Sequence, residues 1–101
     1  HPMLETFWSN FDYINHARKK ENGGDPEILN HSSNPGMIAI QFADYTANCK
    51  RFFLEVPPEQ ELRVLFPNSR TYKYLEKKPV KSRLENRSIR CYVFLREHSD
   101  S

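Results

Sequence analysis

Leu4, Phe7, Trp8, Phe11 and Ile14 recur at intervals of three and four residues, so a helix here carries five large apolar side chains along one stripe. Nothing else in the chain restricts its fold as strongly. The stripe includes three aromatic rings, and a helix cannot cover its own apolar face, so a second layer must pack on it. Pro2 suits the first turn, where its missing N–H costs nothing. Glu5 lies near the positive end of the helix dipole, Arg18-Lys19-Lys20 lie near the negative end, and Asn22-Gly23-Gly24 supplies the stop. The spacing predicts a core-facing helix rather than a partner-binding one.

The material for that second layer comes later. Asp25-Pro26-Glu27 reads as the opening of a single helical turn through Ile28 and Leu29. Asn34-Pro35-Gly36 reads as a type II turn, so residues 22–36 form a long connection. The period then changes to two, with Ile38, Ile40 and Phe42 followed by Phe52, Leu54 and Val56. Asp44 to Cys49 between them predicts a hairpin loop. Pro58-Glu59-Gln60-Glu61 opens a helix carrying Leu62, Leu65 and Phe66, although Leu62, Val64 and Phe66 also alternate as in a strand. Residues 69–78 read as a second short helix or, over Thr71–Leu75, as a strand; Pro79 is expected to end either one. Glu85-Asn86-Arg87 reads as a turn.

"SIRCYVFLRE" is the clearest strand. Ile89, Cys91, Val93 and Leu95 are expected to face the core; Arg90, Tyr92, Phe94 and Arg96 line the other side. His98 to Ser101 reads as a polar tail. The predicted fold class is α+β over one domain, residues 1–101: an N-terminal amphipathic helix packed on a small, mainly antiparallel sheet, with one or two short helical segments before the last strand.

Length and composition fit this reading. A chain of 101 residues closes one modest core, and 13 aromatics offset a hydrophobic content of 38%. No apolar run is long enough to cross a membrane. The first twenty residues lack a signal peptide's continuous apolar stretch, which points to an intracellular protein of nucleus or cytoplasm. Met3 behind His1-Pro2 fits two added residues before a start methionine, and equally an internal segment. A secreted alternative rests on a Cys49–Cys91 disulfide and on the sequons Asn30-His31-Ser32 and Asn86-Arg87-Ser88.

Motifs for chemistry are missing. His1, His16, His31 and His98 stand in no metal-ligand spacing with one another or with a cysteine, so no metal and no cofactor is expected. There is no nucleophile elbow and no HExxH motif, and three glycines make no phosphate-cradling loop. Glu59 and Glu61 read as solvated carboxylates of a helix's first turn. A non-catalytic protein is expected.

Charge is the remaining signal. Residues 68–90 hold eight of the fifteen Lys and Arg against Glu76 and Glu85, a local net of +6 in a chain of net +2. Such a field attracts polyanions. The predicted binding residues are Arg70, Tyr72, Lys73, Lys77, Lys78, Lys81, Arg83, Arg87, Arg90 and Tyr92. If Tyr92 and Phe94 face outward beside Arg90 and Arg96, the last strand presents a ring–cation surface. The competing reading packs those rings under the N-terminal helix. The expected function is a non-catalytic interaction domain of a larger assembly, taking an acidic or phosphorylated protein segment. RNA or DNA on the same surface is the alternative, since arginine forks suit carboxylate and phosphate alike. Phe53 and Leu65 are the candidate apolar anchors for a protein partner, and an open sheet edge offers a place for a partner strand.

Overall fold

The apolar stripe forms a helix, α1 (Pro2–Ala17), and buries Leu4, Phe7, Trp8, Phe11 and Ile14 together with Asn10 and Asn15. The chain ends the helix with stacked turns: the Gly24 N–H donates to the Lys19 carbonyl at 2.8 Å, and Gly23 and Gly24 take φ of 65° and 85°. In the computed structural model residues 1–96 are described, and the expected tail His98–Ser101 lies outside them. The further elements are β1 (Met37–Ile40), α2 (Phe42–Arg51), α3 (Glu59–Leu65) running into a 3-10 turn at Phe66–Asn68, β2 (Lys73–Lys81) and β3 (Ser88–Leu95). The strands form one antiparallel sheet in the order β1-β3-β2, and the architecture is α+β, as expected.

The layer that covers α1 is the sheet face bearing Tyr92 and Phe94. Register places Ile38 and Tyr74 on either side of Phe94, and Ile40 beside Tyr92. The resulting core is largely aromatic. Phe7 packs on Tyr45 and Phe66 with ring centroids 4.6 and 5.1 Å apart, and Trp8 meets Phe94 and Tyr72 edge-on, each at 4.8 Å. Ile89, Cys91 and Val93 form a smaller cluster with Ala39 on the opposite face, flanked by Met37, Leu75 and Val80. This reverses the expectation for β3: the face assigned to the core is the lesser one. Alternation names two faces, but only the ring-bearing one has the volume to fill the space beneath an aromatic helix.

The expected hairpin of two early strands does not form. β1 stops at Ile40, and Phe42 begins α2, whose buried residues Tyr45, Asn48 and Cys49 follow helical spacing. β3 takes the place beside β1 that the hairpin partner was to occupy. Residues 52–56 do alternate in burial, yet they pair with no strand. The Asp25–Leu29 segment is not helical either. The Asp25 carboxylate accepts from the Glu27 N–H at 2.9 Å, and the Asn30 N–H donates to the Glu27 carbonyl, giving successive turns. The turn at Asn34 closes through the Met37 N–H at 3.0 Å, but Gly36 lacks the positive φ of type II. The helix over 59–65 forms as read. Pro79 does not end an element: it sits inside β2 opposite Arg90, where an edge strand tolerates a residue without an N–H.

Candidate interaction surface

Strand alternation divides the basic segment between both sides of the sheet. Lys77 stands opposite Tyr92, so Lys77, Pro79 and Lys81 point to the α1 side. Arg90, two residues before Tyr92, points the same way; it is directly opposite Pro79 and diagonal to both Lys77 and Lys81. Lys73 and Lys78 stand opposite Leu95 and Cys91, on the other face. The predicted set is therefore not one patch.

Several members have acidic partners. Lys77 Nζ lies 4.8 Å from the centre of the Tyr92 ring and 3.7 Å from Glu59. Lys78 and Glu76 are 3.7 Å apart, and Arg87 donates to Glu85 at 2.7 Å. Arg83 is a structural clamp. Its guanidinium donates to the Asn30 carbonyl, the Asp25 carboxylate and the Glu27 carbonyl at 3.0, 2.8 and 2.7 Å. This hydrogen bond holds the Asp25 carboxyl below its ordinary range. Arg96 plays the same part at Glu27 (2.6 Å) and the Pro35 carbonyl (2.9 Å); burial pushes the Glu27 carboxyl up, and the bonds from Arg96 and Asn30 bring it below its usual value. Lys81 and Arg90, like Arg70 and Lys73, have no ion-pair partner among the described residues. Arg70 stands apart, lining a hollow with His1, Glu5 and Leu65.

The condition for a ring–cation surface, that Tyr92 and Phe94 face outward, is not met. Tyr92 is 2% exposed, because alternation turns it under α1 with Phe94. Its hydroxyl donates to Glu59 at 2.7 Å, and burial, then the neighbouring carboxylate, pushes the phenol upward. Tyr72 is half-buried against Trp8, and burial raises its phenol as well. The ring–cation surface of the last strand is thus absent, and the competing reading of those rings is the correct one. Of the two apolar anchors, Leu65 packs against the core, whereas Phe53 is 97% exposed.

Cys49 and Cys91 are free thiols. They belong to different clusters, Cys49 on the α1 side and Cys91 on the far side of β3, so the proposed disulfide is not formed. Burial pushes the Cys91 thiol up to about 11 and raises that of Cys49 as well. The first sequon is also internal. Asn30 donates to Glu27 and the Met37 carbonyl and accepts from the N–H groups of Ser32 and Ala39.

One constellation carries no signal in the sequence. His31, 1% exposed, lies between Ser82 Oγ at 2.7 Å from Nδ1 and Asp44 Oδ2 at 3.1 Å from Nε2. A serine, a histidine and an aspartate in line resemble a nucleophilic triad in connectivity. Two facts make this array a structural knot. Ser82 is itself 2% exposed, and its oxygen already accepts from the N–H groups of Leu84 and Glu85 at 3.0 and 3.1 Å. With both lone pairs engaged, the hydroxyl proton goes to Nδ1 and the imidazole N–H goes to Asp44. No spacing in the sequence announces such a group, since its members lie 51 and 13 residues from His31. Among the described residues no cluster of three His, Cys, Asp or Glu is placed to hold a metal, and no helix is long and apolar enough to cross a membrane. Comparison with models of protein families, with curated proteins and with solved structures finds no match.

Proposed function

We propose that this chain is a non-catalytic interaction domain that takes an acidic or phosphorylated segment of a partner protein on the α1-side face of the β2–β3 hairpin. The observation that carries the reading is that register puts Lys77, Lys81 and Arg90 at neighbouring positions around Pro79 on one face of the strand pair, with Lys81 and Arg90 left without ion-pair partners among the described residues. Cations at neighbouring positions of a strand pair gain from a shared anion. Arg90 supplies a fork for carboxylate or phosphate, and the two lysines supply attraction without directional demand. Pro79 keeps the floor between them low and apolar. Lys73, Lys78 and Arg87 add to the long-range field from elsewhere on the surface, whereas Arg83 serves the fold.

The test is a titration of the chain with a fluorescent Glu-rich peptide, its phosphoserine counterpart, and single- and double-stranded oligonucleotides, each at two salt concentrations. The expected result is peptide binding that falls about tenfold or more in the double variant K81E/R90E. Binding of the oligonucleotides alone, with a steep salt dependence, overturns the protein-partner assignment in favour of nucleic acid. Equal peptide affinity in the variant and the parent overturns the site.

A further inference from the structure

A second surface is marked by Phe53. α2 ends in a closed C-terminal motif: the Leu54 N–H donates to the Cys49 carbonyl at 2.9 Å, and the Phe53 N–H donates to the Lys50 carbonyl at 3.2 Å. The motif requires its penultimate residue to be left-handed, and Phe53 accordingly has φ 57°. Glycine is the usual occupant, because a side chain is strained there. Phe53 therefore costs the fold backbone energy, and at 97% exposure its ring returns no burial. Its neighbour Phe52 behaves oppositely, packed between Tyr13 (5.7 Å) and the Arg51 guanidinium (5.1 Å).

The surroundings of the ring are basic. Glu21 accepts from both Arg18 and Arg51, which brings the turn after α1 against the end of α2. Residues 18–21 and 50–55 contribute Arg18, Lys19, Lys20, Lys50 and Arg51 against Glu21 and Glu55, a net of +3. Two helix C-termini meet here, and each carries only about half a negative charge, so the corner stays positive. Lys19, Lys20 and Lys50 have no ion-pair partner among the described residues.

We infer that Phe53 is the apolar knob of a docking site for an acidic amphipathic helix of a partner protein. One protruding ring fits the hole between four side chains of a helix face, and carboxylates bordering that hole meet Lys50, Arg51 and Lys19. Other occupants fit less well. Single-stranded nucleic acid asks for successive stacking platforms, but Phe52 is already engaged by its neighbours. A membrane surface asks for more apolar area than one ring provides. This inference is independent of the hairpin.

The probe is a synthetic amphipathic peptide of Glu and Lys with Leu at helical a and d positions, net acidic, together with a copy carrying Ser at every Leu. The expected result is that the Leu peptide shifts the NMR signals of Tyr13 and residues 50–54, that F53G weakens binding by about tenfold or more, and that K81E/R90E leaves it unchanged. F53G restores the residue the motif prefers, so it folds and isolates the role of the ring. The inference is overturned if the Leu peptide does not bind, if F53G binds it as the parent does, or if the Ser copy binds equally. It is also overturned if the Phe53-dependent partner proves to be phosphatidylserine vesicles or oligothymidine rather than the peptide.

Discussion

The His31 knot and the Phe53 corner invert each other. In the first, buried His31 and Ser82 are satisfied by hydrogen bonds: His31 lies between Ser82 and the partly exposed Asp44, and Ser82 closes its own turn through Leu84 and Glu85. In the second, a large apolar side chain stands in water on a strained backbone. The lesson concerns the assignment of roles. A histidine beside a serine and an aspartate invites a catalytic reading, yet burial and full hydrogen bonding make it a fastener joining three segments. An exposed phenylalanine invites no notice, since single surface apolar residues are common. Here a backbone penalty without compensating burial separates it from that background.

Four measurements test whether the two sites differ in this way. The largest effect is expected for His31→Ala, which leaves Asp44 and Ser82 without their shared partner and opens a cavity. A loss of about 3 kcal/mol in urea unfolding is expected, and a variant as stable as the parent would remove the knot from any structural role. Next comes acid. Asp25 and Glu27 have lowered native pKa values, so their stabilisation is complete above the unfolded carboxylate range and is lost as pH falls through the native values. Stability should decline below about pH 4. Arg83→Ala should cost about 1 kcal/mol at neutral pH, at the low end because the pair is partly exposed, and should flatten that decline. An unchanged acid profile would mean that Arg83 does not hold Asp25 in solution. Of similar size and opposite sign, F53G should raise stability by about 1 kcal/mol. Destabilisation would show that the ring packs on the fold after all. Least affected should be K81E/R90E, within about 0.5 kcal/mol of the parent, because neither side chain has an ion pair to lose among the described residues. A large loss would move both residues from the contact surface into the structure.

Much of the fold was legible in the sequence where one period ran long and unbroken. α1 and β3 are such segments. α2 was hidden because two of its buried positions are Asn48 and Cys49, which an apolar scan passes over, and because Phe52, Leu54 and Val56 alternate convincingly beside it. That alternation is real as burial and wrong as pairing, since local pattern does not say whether a strand lies alongside. β2 was left open between helix and strand because Tyr72, Tyr74 and Leu75 suit both, and the bulge between Tyr74 and Glu76 disturbs its period. For the surface, sequence located the charge but not its partners: Asp25 lies 58 residues from Arg83, and Glu59 lies 33 from Tyr92. Phe53 was singled out from its alternation, though its left-handed backbone was not visible there.

The outward margin of the sheet carries a last consequence. β2 holds Pro79 with Lys73, Lys77, Lys78 and Lys81 along nine residues, so a second molecule approaching edge-on finds like charge and a missing donor. That margin makes a poor template for polymerisation. A partner strand should not add along β2, and a partner that reaches this margin should rest on the faces of the sheet instead of lengthening its ladder there.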